Sequence, residues 1–522
     1  MKRKVSNVVI VGGGAAGWWT AGYLAVKNPH LHITLIESDR IPAIGVGESM
    51  LPQISEFFLE MGIDEKVWMQ DCDAIYKLGN KFENWYEIGD SSLMTFWWNF
   101  DERLIKGSLY NRPGNEVFFG QKKHARLGDY WLHLYSQGEK NEEDFYYDFS
   151  DAAGLAEGLC SPRDHEGHSY LSSWAGYAYH IDANKASTIV RDHAALPNGV
   201  EHRIGTVADV KLNADGIEQL HLESGEVIKA DLYIDCTGFA QVLIGQLDTT
   251  RIHYENIFCN SVFVSPFRYN DYRTEMVPYT TSTARKFGWQ FTIPLTSRIG
   301  SGYVYSDRFT TDAEAVAAFK QSWCHHQGLL EEPRLLKWQP SRLRDSWQQN
   351  VCAIGLASGF IEPLEANVLF NAQHAIQTLT RLLERGNNEV TPKTAKIFSR
   401  ATAQTMDHTA DYLFHRYAAT AREDTEFWRT YKQLGEAHHV RDTLMENYMK
   451  HSDPLSSLYP DAIWLSTAVY MKALRRDLPV RINPDLVDNA RAIFDYTART
   501  SRNNGRMLPK IWDVCPPRLE TV

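Results

Sequence analysis

The first 37 residues contain the pattern that most restricts how this chain can fold. Residues 8–11 are four consecutive β-branched residues, a run typical of a strand that is buried on both faces. Gly12, Gly14 and Gly17 follow with the spacing GxGxxG, and residues 18–26 have a composition that suits a helix. A strand, a glycine turn and a helix in this order predict the first half of a dinucleotide-binding unit.

A second strand completes that unit. Residues 31–36 are mostly apolar and lead into Glu37, twenty residues after Gly17. Glycines in such a turn let backbone N–H groups approach a pyrophosphate at a helix N-terminus, and a terminal acid can bind ribose hydroxyls. The alternative, a chance cluster of glycines, does not explain the whole order of elements. The residues predicted to bind the dinucleotide here are Gly12, Gly14, Ala15, Ala16, Gly17 and Glu37.

The composition argues against several other classes of protein. The chain has 522 residues, of which 43% are hydrophobic and 12% aromatic, and this apolar content is not typical of disorder. A net charge of −11 without a long basic block does not suit nucleic-acid binding. The uncharged run 8–26 follows three basic residues, as in a signal peptide or membrane span, but its glycines favour the dinucleotide turn. Seven scattered cysteines without CxxC spacing indicate reduced thiols, no metal site and a cytoplasmic protein.

Two later segments favour FAD over NAD as the dinucleotide. Residues 44–49 lie just beyond the second strand, and residues 231–238 have the pattern of a strand that ends in a small-residue turn. Each alone is compatible with an ordinary glycine turn, but in this order they resemble FAD-dependent monooxygenases and their relatives. No second strand-GxGxxG-helix unit follows, so we expect no separate NAD(P)H domain. The further residues predicted to bind the flavin are Gly47, Glu48, Gly238 and Ile354.

Residues 288–295, with the sequence GWQFTIPL, form the most specific stretch of the chain. They resemble the WxWxIP motif of flavin-dependent halogenases of the tryptophan-halogenase family. Trp289, Ile293 and Pro294 match that motif, and Phe291 replaces its second Trp. The resemblance implies a screen between the flavin and the substrate. The other interpretation is an aromatic strand face in the protein core.

The resemblance extends over nearly the whole chain, because further short motifs occur in the family order. They are GVGES at 45–49, YKLGNKF at 76–82 followed by Asn84-Trp85, GSGYV at 300–304, FIEPLE at 360–365 and REDTEFW at 422–428. The implied fold is α/β, a Rossmann-type FAD-binding fold of the flavin monooxygenase kind. We expect a core of residues 1–390, with a discontinuous flavin lobe and an inserted mixed substrate lobe. A mainly helical C-terminal part, residues 391–522, is expected to cover the substrate side.

The family resemblance also implies the chemistry. Reduced FAD and oxygen oxidise a halide ion to hypohalous acid, which reaches a lysine beside an electron-rich aromatic substrate. The matching lysine is Lys77, and the matching carboxylate is Glu365. Lysine suits this role because burial lowers its pKa, and Glu365 can accept the ring proton. The alternatives are a solvated surface lysine, the default for most lysines of this chain, and a carboxylate at a helix start. Lys81, equally basic and four residues further on, is the internal control.

The residues after Glu365 depart from the family pattern. Ala366-Asn367-Val368 stand where the family usually has small and glycine residues whose backbone amides help to bind halide. Asn367 and Val368 are therefore the predicted halide residues. A valine does not easily adopt left-handed backbone geometry, and we expect bromide to be preferred over chloride.

The predicted substrate region differs from the family as well. Trp98 and Phe100 occupy the place of a family segment that stacks on the indole, and aromatic walls suit a flat, electron-rich ring. From about residue 392 the sequence has a helical pattern, for example over 485–497, and lacks the paired tyrosines that hold free tryptophan in the family. An indole or phenol without the charged groups of the amino acid is therefore expected.

Together these features predict a cytoplasmic, FAD-dependent halogenase that uses bromide or chloride. Its expected partners are a separate NAD(P)H-dependent flavin reductase and a small aromatic substrate, with a homodimer as one possible assembly. Nucleic acid, membrane and metal are not expected. Two alternative functions stay open, an FAD-dependent aromatic hydroxylase and a flavin-binding protein without halogenating activity.

Overall fold

The computed structural model describes most of the chain. The residues that it describes are 3–40, 45, 47–97, 126–171, 176–326, 328–450, 461–478, 480 and 482–518. The predicted substrate residues Trp98 and Phe100 lie outside this set. The described residues form two large β-sheets, several small ones and helices that pack against them.

A six-stranded sheet carries the predicted dinucleotide-binding unit. Its strands, in spatial order, are Trp347–Gln348, Val351–Ala353, Leu232–Asp235, Asn7–Val11, His32–Glu37 and Glu201–Ile204. Neighbouring strands are parallel, except that the edge strand Trp347–Gln348 is antiparallel to its neighbour. The central strands are almost wholly buried, which accounts for the β-branched run in Asn7–Val11. The strands predicted at 8–11 and 31–36, and the strand predicted within 231–238, are confirmed.

The helix Ala15–Lys27 connects the strands Asn7–Val11 and His32–Glu37 and packs against them. Gly12 has a φ of +116°, a backbone conformation that favours glycine. A Cβ atom at Gly17 would overlap the carbonyl oxygen of Gly12. The glycine spacing therefore lets the helix begin close to the end of the first strand.

A seven-stranded sheet contains the WxWxIP-like segment. Its strands, in spatial order, are Arg334–Lys337, Ser261–Phe267, Ile299–Tyr305, Gly288–Pro294, Thr280–Arg285, Gly79–Glu83 and Ser91–Thr95. Neighbouring strands are antiparallel, except for the parallel pair Thr280–Arg285 and Gly79–Glu83. Trp289 and Phe291 belong to a large core cluster that also includes aromatic residues of the C-terminal helices.

A three-stranded antiparallel sheet brings together segments that are distant in sequence. Its strands, in spatial order, are Glu48–Ser49, Ala178–Ile181 and Ile75–Lys77. Lys77 thus ends a buried strand. The remaining small sheets consist of Val207–Asn213, Gly216–Leu222 and Val227–Ile228; of Arg251–His253, Ser341–Leu343 and Gly359–Phe360; and of Arg3–Lys4 and Glu389–Val390.

The α-helices cover both sheets and form most of the C-terminal part. Those in the described chain are Ala15–Lys27, Ile54–Glu60, Glu65–Asp71, Leu127–Ser136, Phe145–Phe149, Ala152–Glu157, Ala183–Val190, Tyr272–Glu275, Asp312–Ser322, Asn367–Arg385, Pro392–Ala418, Glu426–Ala437, Val440–Lys450, Asp461–Tyr470, Val487–Met507 and Ile511–Val514. The helix predicted over 485–497 is observed as Val487–Met507. The domain boundary at residue 390 stays a prediction.

The described residues contain no membrane-spanning helix, no metal-ligand group and no disulfide. No helix among them is both long enough and apolar enough to span a bilayer. They contain no group of three or more His, Cys, Asp or Glu side chains placed to hold a metal ion. The seven cysteines all have free thiols, of which Cys324 is exposed and the other six are buried.

The contrast between Gly17 and Gly14 tests the role of the glycine turn. We expect Gly17→Ala to lower the free energy of unfolding by about 1–3 kcal/mol, because the added methyl group overlaps the Gly12 carbonyl. Gly14→Ala should cost less, since a Cβ atom there meets no atom within 4 Å. Urea unfolding followed by circular dichroism measures both variants. Equal losses of stability would contradict the close approach of helix and turn.

Candidate active site

One cavity of about 500 Å³ is lined both by the glycine turn and by the aromatic strand. It lies at the carboxyl ends of the parallel strands Asn7–Val11 and Leu232–Asp235, the usual ligand position in an open α/β sheet. The predicted residues that line it are Gly12, Gly14, Ala15, Ala16, Glu37, Gly47, Glu48, Gly238, Trp289, Phe291, Ile293, Glu365 and Val368. The predicted residues that do not line it are Gly17, Lys77, Pro294, Ile354 and Asn367.

The nucleotide end of the cavity has the features that a pyrophosphate and a ribose require. Gly14 caps the helix Ala15–Lys27 without a side-chain hydrogen bond, and the first helical turn has no acid. The helix N-terminus therefore suits an anionic ligand. The Glu37 carboxylate packs against Gly13, where a Cβ atom would overlap it, and its Oε1 lies 2.7 Å from Nε2 of His202. His202 was not predicted from the sequence, because a single histidine in a distant strand carries no motif.

Two predicted flavin residues differ in how they relate to the cavity. Ile354 is buried, and its backbone N–H donates a hydrogen bond of 3.0 Å to the carbonyl of Asp235, so it supports the neighbouring cavity residue Gly355. Glu48 lines the cavity directly. Burial, together with the charge of Asp182, raises the pKa of the Glu48 carboxyl to about 7. Its charge can therefore change in the neutral pH range.

The strand Gly288–Pro294 forms an aromatic wall of the cavity. Trp289, Phe291 and Ile293 alternate along the strand and all line the cavity. Gly302 lies opposite Phe291 in the sheet register, and a Cβ atom at Gly302 would crowd the phenyl ring. The GSGYV motif thus provides the space that the Phe291 ring occupies. These residues fit FAD, since the cavity combines backbone amides, an acid and a flat apolar wall.

A buried carboxyl group lies close to this wall. Glu362 is fully buried, and the Tyr417 hydroxyl donates to its carboxyl oxygen at 3.0 Å. Burial raises the pKa of Glu362 to about 8, although Tyr417, Trp289 and Cys259 lower it. The side chain is therefore mostly a neutral acid at pH 7. This role was not predicted from the sequence, and the available signal was the first acid of the FIEPLE motif.

Lys77 is a buried lysine and not a solvated surface residue. Its side chain has 0% exposure, and Nζ donates a hydrogen bond of 3.1 Å to the carbonyl oxygen of Met50. Burial lowers the pKa of Lys77 to about 7, while the Glu365 carboxylate opposes that shift. Nζ also lies 5.5 Å from the ring centroid of Phe96. Lys81 differs from Lys77, because its side chain is 31% exposed and pairs with Glu83 at 2.9 Å.

Glu365 is held by hydrogen bonds on both carboxylate oxygens. Asn80 Nδ2 donates to Oε2 at 3.0 Å, and the Tyr412 hydroxyl and Arg416 Nη2 each donate to Oε1 at 3.2 Å. Arg416 is fully buried and lies 4.1 Å from the ring centroid of Phe82. Tyr412 and Arg416 lie on the helix Pro392–Ala418. Their sequence shows only the i, i+4 spacing of one helix face, which is too common to indicate a site.

The two predicted halide residues have different surroundings. The Asn367 amide is buried and donates to the carbonyls of Glu362 and Leu364 at 2.9 and 2.6 Å. Val368 lines the cavity within the first turn of the helix Asn367–Arg385. The left-handed backbone occurs just before it, at Glu365 and Ala366, with φ of 65° and 57°. The assignment of these residues to halide stays a prediction.

The aromatic residues next to the predicted substrate segment are mostly core residues. Trp97 is buried, and its indole N–H donates to the Ser466 hydroxyl at 2.8 Å. Trp131 and Phe145 pack in the same cluster. The position of Trp98 and Phe100 cannot be compared, because both lie outside the described residues.

Comparisons with known proteins agree with this geometry. The family model described as tryptophan halogenase matches residues 7–476. Tryptophan 6-halogenase ThaL of Streptomyces albogriseolus is 33% identical over 454 residues, which cover 85% of this chain and 82% of that protein. Tryptophan 7-halogenase RebH of Lentzea aerocolonigenes is 31% identical over 443 residues, with coverages of 83% and 80%. The crystal structure of tryptophan 6-halogenase SttH of Streptomyces toxytricini matches with a TM-score of 0.82 and 27% identity, over 98% of this chain and 99% of that one.

The chain is therefore an enzyme with the Rossmann-type FAD-binding fold of flavin-dependent halogenases. It belongs to the tryptophan halogenase family. This confirms both the fold and the family that the sequence predicted. Membership implies the use of FAD and a halide in the halogenation of an aromatic compound.

The raised pKa of Glu362 predicts how stability depends on pH. An acid with a folded-state pKa of about 8, against an ordinary value of 4.5, stabilises the folded state below pH 4.5 and loses that contribution as the pH rises toward 8. We expect Glu362→Gln to remove this dependence, so that the variant gains about 3 kcal/mol relative to wild type between pH 4.5 and 7. Urea unfolding at several pH values measures the difference. Exposed Glu255→Gln is the control, and parallel curves for wild type and Glu362→Gln would contradict a neutral Glu362.

Proposed function

We propose that this enzyme halogenates an electron-rich aromatic ring, such as an indole or phenol, with hypohalous acid held at Lys77. When bound, reduced FAD would supply two of the four electrons that reduce oxygen, and the halide ion would supply the other two as it becomes hypohalous acid. A separate NAD(P)H-dependent flavin reductase would supply the reduced FAD, since the sequence has no second dinucleotide-binding motif. The observation that carries the proposal is a fully buried Lys77, whose pKa is lowered to about 7 beside Glu365.

The wall formed by Trp289, Phe291 and Ile293 supports separate binding sites for the flavin and the substrate. These side chains line the flavin cavity, whereas Lys77 does not line it and lies on a strand of a different sheet. An aromatic compound at Lys77 would therefore not contact the flavin directly. Only a small oxidant such as hypohalous acid would need to pass between them.

Lys77 and Glu365 can perform complementary steps at the substrate. The Lys77 ammonium can donate a hydrogen bond to the oxygen of hypohalous acid, which makes the halogen more electrophilic. The Glu365 carboxylate can accept the proton that the ring loses after the carbon–halogen bond forms. Three donors hold this carboxylate, namely Asn80, Tyr412 and Arg416. They fix its orientation without occupying Lys77.

The proposed halide and substrate rest on positions where the sequence departs from the family pattern. We propose bromide in preference to chloride, because Val368 lines the cavity where the family usually has glycine, and bromide is larger and easier to oxidise. We propose a substrate without the charged groups of free tryptophan, because no two adjacent tyrosines occur after residue 391. We propose a cytoplasmic location, because a reducing compartment keeps the seven thiols free and also supplies NAD(P)H. A homodimer remains a prediction.

Replacing Lys77 tests the main proposal. The assay contains the purified enzyme, FAD, a flavin reductase, NADH, bromide or chloride, and a panel of indoles and phenols, and product masses are measured. We expect halogenated product from wild type and at least about a hundredfold less from Lys77→Ala, because the group that orients the oxidant is lost. Lys81→Ala is the matched control and should retain wild-type activity.

Two results would overturn this proposal. One is full regioselective halogenation by Lys77→Ala with FAD binding intact. The other is a hydroxylated product that forms without halide, which would favour direct hydroxylation of the substrate.

The lowered pKa of Lys77 predicts the pH dependence of the reaction. The nearby Glu365 carboxylate favours the ammonium form, and we propose that this form activates the oxidant. The halogenation rate should then fall above pH 7, approaching tenfold per pH unit, when the reductase is in excess. Flavin reoxidation measured in parallel controls for slower oxidant formation. A rate that rises through pH 7 would instead indicate a reactive neutral amine.

A further inference from the structure

Met94 lies in the hydrogen-bond cluster that holds Glu365. It belongs to the strand Ser91–Thr95, directly opposite Asn80 in the register, and is half-buried. Arg416 Nη2 lies within hydrogen-bond distance of the Met94 sulfur, at 3.1 Å, and of Glu365 Oε1, at 3.2 Å. The hydroxyls of Tyr412, at 2.7 Å, and Thr467, at 3.3 Å, are further acceptors for the same nitrogen. The thioether and the proposed catalytic carboxylate therefore share one guanidinium nitrogen.

Met94 is also close in the chain to a residue that lies beside Lys77. Phe96 follows two residues later, and its ring centroid lies 5.5 Å from Lys77 Nζ. Phe96 thus lies beside the lysine assigned to the oxidant, and Met94 lies beside the guanidinium that holds the carboxylate assigned to the ring proton.

We propose that Met94 is a self-oxidation site that shuts down the enzyme when no aromatic substrate is bound. This inference rests on the proposed function, because hypohalous acid held at Lys77 is the oxidant. A thioether is readily converted to methionine sulfoxide, which is polar where the thioether was apolar. In the absence of an aromatic ring, Met94 is the nucleophile that the cluster presents.

The reaction balances as a two-electron oxidation. The sulfur lone pair attacks the halogen of hypohalous acid, so that a sulfur–halogen bond forms as the oxygen–halogen bond breaks and hydroxide leaves. Water then attacks the sulfur, a sulfur–oxygen bond forms, and halide leaves. One of the two protons lost from water neutralises the hydroxide and the other is released. The net change is thioether plus hypohalous acid to sulfoxide, halide and one proton.

The loss of activity follows from the hydrogen-bonding capacity of Arg416. A sulfoxide oxygen is a much stronger acceptor than a thioether sulfur. Arg416 is fully buried, and its Nε and Nη1 have no hydrogen-bond partner among the described residues. A new acceptor at Met94 would draw the guanidinium away from Glu365 and leave that carboxylate with Asn80 and Tyr412 only.

Other methionines provide internal references. Met507 is 83% exposed and should report oxidant that has escaped into solution. The Met50 side chain is only 2% exposed, although its carbonyl accepts the hydrogen bond from Lys77. Oxidation by the bound oxidant should therefore favour Met94, whereas oxidation by free hypohalous acid should favour Met507.

Peptide mapping by mass spectrometry tests this proposal. Enzyme that forms halogenated product in a parallel assay is incubated with FAD, reductase, NADH, oxygen and bromide, with catalase present and without an aromatic substrate. We expect at least fivefold more sulfoxide at Met94 than at Met507. Sulfoxide at Met94 should fall to background when bromide is left out, and an added aromatic substrate should prevent its formation. Added hypobromous acid should reverse the order of the two sites.

Variants test the consequence for activity. The loss of halogenating activity over time is measured for each variant and normalised to the initial rate of that variant. Met94→Leu should extend the half-life of activity several-fold under these conditions, while Met507→Leu should decay as wild type does. Met94→Gln, which introduces a polar acceptor, should lower the halogenation rate at least tenfold with FAD binding intact.

The outcomes separate this inference from the proposed function. No halogenated product in the parallel assay would contradict the proposed function. Halogenated product with Met94 unmodified, with Met94 oxidised equally without bromide, or with Met94→Leu decaying at the wild-type rate would overturn only the Met94 proposal.

Discussion

The surroundings of Lys77 follow from the cost of removing an ammonium group from water. A buried charge requires partners that replace its hydration, and otherwise its pKa shifts until the group is neutral. Here the Met50 carbonyl accepts a hydrogen bond from Lys77, and the Glu365 carboxylate favours the charged form. Glu365 is fixed in turn by Asn80 and by the buried Arg416. The charge state of Lys77 and the orientation of Glu365 therefore depend on the neighbouring groups, and a change at one position affects the whole cluster.

The same motif that supplies Glu365 also supports the aromatic wall. Glu362 is a buried acid close to Trp289, and its pKa of about 8 keeps it neutral at pH 7. The Asn367 amide donates to two carbonyls of the intervening turn, and Glu365 has a left-handed backbone. A short segment thus places one carboxyl behind the wall and another within the cavity. The two acids differ in role because their burial and partners differ.

Local sequence pattern was sufficient to predict structure where a single segment contains all the residues that determine it. The glycine turn, its two strands and the helix between them follow from residue size and periodicity within the first 37 residues. Lys77 and Glu365 were predicted from family motifs, and the structure shows that Lys77 is buried. Arg416 and His202 were not identified, because each acts through a partner at a separation of 51 or 165 residues. Neither lies in a motif that signals this contact.

The sequence by itself determined the dinucleotide-binding unit, the FAD-type order of motifs and the halogenase family, because these depend on residue identity at short spacing. Tertiary structure decided which charged groups are buried and what they contact. It placed Lys77 on a strand outside the flavin cavity and Glu365 within the cavity lining. It also brought Met94 to the guanidinium that holds Glu365. Burial and hydrogen bonding depend on chain segments far apart in sequence, so only the folded chain specifies them.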